Sequence, residues 1–188
     1  MQAEQAAEAI GKISPGMELF GLTKGQFSFI SVIETVLVQI GPADVVISTW
    51  TAAGAEIETA KKFLENDKIK SLRFLVDQSF RTRQPEYCNA LIRTFGQDCV
   101  RMSRSHCKFA VIKNRRWNIV IRTSMNLNEN PRIENFEISD DKAFAKFFLD
   151  LIDEIFDKPF AYTEEDFSSL GQKNENAPDP LAALDGWQ

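Results

Sequence analysis

The stretch HCKFAVIKNRRWNIVIRTSMN, residues 106–126, decides how this chain is read. Two short apolar runs, FAVI (109–112) and NIVI (118–121), flank Asn114-Arg115-Arg116, the pattern of two strands joined at a turn. In front of the first run stand His106 and Lys108, and behind the second stand Ser124 and Asn126. If the first strand starts at His106, alternation puts His106 and Lys108 on one face. Cys107 then goes to the other face with Phe109, as a buried thiol. His106 is the only histidine among 188 residues.

A histidine beside a lysine suits a phosphodiester. The imidazole can attack phosphorus, and the ammonium can hold a non-bridging oxygen as charge builds in the transition state. Ser124 and Asn126, also two residues apart, supply hydroxyl and amide donors to the same phosphoryl group, without a metal or other cofactor. The competing reading of a lone histidine at a strand start is a structural or surface residue.

Working outward, apolar residues at 29, 30, 33, 36, 37 and 40 have helical spacing, closed by Gly41-Pro42. ADVVISTW (43–50) reads as a strand covered on both faces. A helix over 54–66, a strand over 69–77 and a helix from Pro85 to Gly96 follow. Strands are then expected around 98–102, 106–113 and 117–124. A last one falls at 136–138, before a strongly amphipathic helix over 141–156. Helices and strands that alternate first, followed by consecutive strands, predict an α/β domain with a mixed sheet.

His106-x-Lys108, then Ser124-x-Asn126, then Glu134-Asn135 resembles the phospholipase D superfamily motif. The resemblance implies an α/β fold, with a mixed sheet flanked by helices on both faces, over residues 17–158. It also implies a nuclease-like phosphodiesterase with a phosphohistidine on His106, phosphate ligands Lys108, Ser124 and Asn126, and Glu134 as the acidic partner of a histidine. Two positions depart from the family pattern: Lys113 stands where an Asp is usual, and Thr123 where a Gly is usual. Lys113 favours an alternative, a catalytically silent DNA-binding or scaffold protein. The family chemistry needs two histidines, and this chain has one motif copy. Single-copy members resemble homodimers in which a twofold axis pairs two copies.

Charge points to the partner. The chain totals −5, yet Arg101–Arg122 holds seven basic residues and no Asp or Glu. That local excess favours nucleic acid, DNA ahead of RNA, over lipid, with Arg104, Arg115, Arg116 and Arg122 as backbone contacts. Arg115 and Arg116 read equally well as a solvated turn. Arg81 and Arg83 follow a strand, where α/β proteins gather ligand loops, and join the candidates.

Three cysteines (88, 99 and 107) form no CxxC, which fits a reduced, cytoplasmic setting. No apolar run is long enough to span a bilayer and no membrane partner is expected. Residues 1–16 are expected as a flexible segment with at most a short helix. Residues 159–188, with six acids and one lysine, are expected as a disordered tail. Its end carries Leu181, Leu184 and Trp187 at helical spacing. Such a tip suits docking to a partner protein, competition with DNA, or packing on its own domain.

Overall fold

A computed structural model describes residues 2–129 and 131–158, so the expected tail, 159–188, lies outside the described residues. Seven strands form one mixed sheet in the order β1-β7-β6-β5-β2-β3-β4. They are β1 (Glu18–Thr23), β2 (Ala43–Thr49), β3 (Ile69–Asp77), β4 (Val100–Ser103), β5 (Phe109–Lys113), β6 (Asn118–Thr123) and β7 (Glu134–Asp140). β2, β3 and β4 run parallel, and β5, β6, β7 and β1 alternate antiparallel from β2 outward.

These directions fix one end of the sheet. There β2, β3, β4, β6 and β1 finish while β5 and β7 begin: Ser48 pairs with Phe109, Thr123 with Phe136 and Thr23 with Glu134. We call this the upper end. The β5–β6 turn, Asn114–Trp117, lies at the lower end.

Helices cover both faces unequally. On one face pack α1 (Gln2–Ile10), α2 (Phe29–Ile40), α3 (Gly54–Glu65) and α5 (Pro85–Phe95), over strand residues such as Ile47, Phe74, Ile112 and Ile121. α2 is buried around most of its circumference, because the sheet lies under it and α1 above it. Gly41, at φ 80°, ends it with an N–H donated to Leu37 O at 3.0 Å; few residues but glycine adopt that backbone. The other face carries α6 (Lys142–Phe156), whose Phe148 meets Phe109 at 4.5 Å between centroids. Asp141 caps α6 by accepting from Ala143 N and Phe144 N.

Residues 2–13 correct the expected flexible segment. Ala6, Ile10 and Ile13 are buried, and Gln39 bonds both Ile13 N and Gly11 O, so this stretch is part of the packed domain. A one-turn helix, α4 (Phe80–Arg83), and strand β1 were not foreseen. β1 hides from pattern reading because Phe20 and Leu22 point outward, 63% and 61% exposed, while Gly21 faces the core. A Cβ on Gly21 would lie 2.6 Å from Cε1 of Phe136. Among the described residues no helix is long and apolar enough to cross a membrane.

Candidate active site

His106 and Lys108 stand in an irregular segment, 104–108, which enters β5 at the upper end. Alternation does not apply to an irregular segment, so the expected burial of Cys107 fails: its side chain is exposed. Its carbonyl accepts from Ser48 Oγ at 2.9 Å, which ties the segment to β2. His106 and Lys108 still meet. Lys108 Nζ lies 3.0 Å from Nδ1 and 3.3 Å from Nε2 of His106, and donates to His106 O at 3.0 Å.

Ser124 arrives beside them because Thr123 N donates to Lys108 O at 3.1 Å and carries the β5–β6 pairing to its last residue. Ser124 Oγ donates to Glu134 Oε2 and accepts from Asn135 N at 3.0 Å. Burial holds the Lys108 ammonium below its ordinary value, opposed by the Glu134 carboxylate and by Cys107. Glu134 therefore engages Ser124 and the charge of Lys108.

Asn126 sits between buried Met125 and Leu127, and Leu127 is fastened to the end of β2 through Thr49 Oγ1 and Ala53 N. Its Oδ1 is buried with no hydrogen-bond partner among the described residues. Turning the amide over would present a donor in place of this acceptor. A cavity of about 310 Å³ opens beside Lys108 and Ser124, floored by Phe109 and Phe148.

The remaining candidates divide. Arg104 is exposed in the His106 segment. Arg122 is on the α6 face, paired with Glu137 and set over the Phe144 ring at 5.0 Å. Arg81 and Arg83 lie in α4. Arg83 reaches back to donate to Trp50 O at 3.1 Å and to cover the Trp50 ring at 3.5 Å. Arg115 and Arg116 are in the lower turn, on the order of 13 Å of strand from the upper end. Lys113 is there too, paired in register with Asp44. The charge cluster of the sequence is thus split between two ends of the sheet, and the Lys113 departure is remote from His106.

Two residues that motif reading passed over also belong to the upper end. Asp77, the last of β3, accepts from Ser79 N at 2.9 Å, from Ser79 Oγ, and from Ser105 N at 3.2 Å. Burial opposes its charge, but these bonds and Arg83 outweigh that and hold the carboxyl below its ordinary value. Trp50 follows β2, its ring 5.3 Å from that of His106. The signal was available, since both terminate strands of the parallel part, where ligand sites gather. Among the described residues no three His, Cys, Asp or Glu side chains form a group that could hold a metal ion.

No protein-family profile matches the chain, and no curated protein matches it in sequence. Solved structures do match in shape. A polyphosphate kinase from Porphyromonas gingivalis superposes with TM-score 0.55 at 14% identity, covering 78% of this chain and 27% of the kinase. Nuc from Salmonella typhimurium, a phospholipase D family member, gives 0.52 at 14% identity, covering 75% and 94% of the two chains. NucT from Helicobacter pylori gives 0.52 at 12% identity, covering 75% and 97%. The chain spans about a quarter of the kinase but nearly all of Nuc and NucT. With its mixed seven-stranded sheet, helices on both faces, and the likeness to Nuc, the chain has a phospholipase D-like fold.

Proposed function

We propose that this protein is a metal-independent phosphodiesterase, a nuclease acting on DNA as a homodimer. The observation that carries the reading is convergence: His106 and Lys108 before β5, Ser124 after β6 and Glu134 opening β7 meet at one end of the sheet. A ring nitrogen of His106 forms a P–N bond as the P–O bond to the leaving group breaks. Lys108 and Asn126 hold the non-bridging oxygens, and Ser124 joins them by turning its hydroxyl proton from Glu134 to the phosphoryl group. His106 of a second copy gives a proton to the leaving oxygen, then takes one from the water that displaces the phosphoryl group from nitrogen. One His106 per chain and its exposure at the sheet end support a site shared across a twofold axis.

The silent-scaffold alternative leaned on Lys113, which stands at the lower end of β5, away from His106. Incubation with single- and double-stranded DNA in excess chelator tests the reading. Cleavage by the wild type that is lost in His106→Ala supports it. DNA binding without cleavage would return the scaffold to first place.

A further inference from the structure

We propose that Trp50, clamped by Arg83, is a positioning residue that sets the ring of His106, and that Asp77 anchors the arrangement. This rests on the reading of His106 as the nucleophile. The difficulty it resolves is local. His106 lies in a segment without regular backbone hydrogen bonding, and its side chain is exposed. A nucleophile that attacks in line needs a fixed ring, and misplacement by about 1 Å can cost on the order of 100-fold in rate.

Two connections run from Asp77 to His106. Through the backbone, Asp77 Oδ2 accepts from Ser105 N at 3.2 Å, one residue before His106. Through side chains, Asp77 Oδ1 holds Ser79, and Ser79 Oγ accepts from Arg83 Nε at 3.0 Å. Arg83 then grips Trp50 twice. Its guanidinium lies 3.5 Å from the ring centroid, a cation–π contact, while Nη2 donates to the Trp50 carbonyl at 3.1 Å. The indole, fixed at ring and backbone, stands 5.3 Å from the imidazole at 56° between planes, within the usual range for an aromatic pair. Main chain and ring of His106 are thus both referred to one carboxylate at the end of β3. Arg83, expected from sequence to contact DNA, is exposed, and its guanidinium is engaged by Ser79 and Trp50 of its own chain.

The test pairs a spectroscopic reading with a kinetic one on the full chain. His106 is the only histidine in the chain, so at fixed pH its ring protons give one pair of NMR resonances, absent from His106→Gln. The ring current of a neighbouring indole shifts that pair, which should therefore move in both Trp50→Ala and Trp50→Phe. A pair unmoved in both Trp50 variants would overturn the contact. In single-turnover DNA cleavage, Trp50→Ala should lower the maximal rate about 10- to 100-fold with half-saturating substrate within twofold. Trp50→Phe should recover most of the rate, and Arg83→Met should fall between the two. A Trp50→Ala enzyme as fast as the wild type would overturn positioning; if that variant does not fold, Trp50→Phe and Arg83→Met decide by the same criterion. If the wild type cleaves no DNA, the proposed function fails while the NMR reading still decides the contact, because it needs no substrate.

Discussion

Strand β5 is five residues long, and both its ends are basic, yet they are built for different work. At the upper end, the segment entering β5 has little backbone pairing of its own. It is held from outside by Ser48, Asp77, Trp50 and Thr123, and its polar groups face one another. At the lower end the chain closes on itself. Asn114 Oδ1 accepts from Arg116 N and Trp117 N at 3.0 and 3.1 Å, Nδ2 donates to Ile40 O at 3.1 Å, and Arg115 and Arg116 extend outward. A positive charge has chemical consequences here only where other strands bring it partners. Contiguity along a hairpin separates its two ends as effectively as it joins its two strands.

The largest expected difference between the ends is catalytic. Lys108→Ala should lower single-turnover cleavage by about 100- to 1000-fold, as for loss of a donor to developing charge, and Lys113→Ala should stay within about twofold. Equal losses would erase the distinction. Salt dependence sharpens it further. Each phosphate neutralised contributes about 0.9 to the slope of log affinity against log salt, so Arg104→Ala should flatten the slope by about one unit. Arg115→Ala with Arg116→Ala should leave it unchanged, and a flattened slope in the double variant would place DNA at the lower end as well.

A smaller effect concerns pH. The Glu134 carboxylate raises the pKa of Lys108 against the lowering caused by burial. Removing that charge in Glu134→Gln leaves burial less opposed, so the pKa falls further. Because Lys108 acts as the ammonium, the alkaline limb of the pH–rate profile should move to lower pH. An unmoved or raised limb would separate Glu134 from Lys108. The smallest effect is structural: Asn114→Ala should cost about 1–2 kcal/mol by thermal unfolding, with cleavage within twofold of wild type.

The helices and strands that carry continuous or periodic apolar runs, from α2 through α6, were legible because burial imposes those periods directly. β1 was not, since an edge strand with Phe20 and Leu22 outward and Gly21 inward has an inverted pattern that only its pairing with β7 explains. In the site, His106, Lys108, Ser124 and Glu134 were readable as a motif because they flank two consecutive strands and their neighbour. Asp77 and Trp50 were not, and Arg83 was read only as a DNA contact, because all three reach His106 through the strand order β5-β2-β3, which residue spacing does not encode. Cys107 was misread for a local reason: alternation was extended into 104–108, where the chain is not a strand.

If His106 carries the phosphoryl group, the group can be trapped on it. DNA cleavage stopped in denaturant at alkaline pH, followed by intact-mass and fragment analysis, should give a nucleotidyl or phosphoryl adduct on His106, labile to acid and absent from His106→Gln. An adduct on another residue, or rapid turnover with no adduct at any time point, would contradict it.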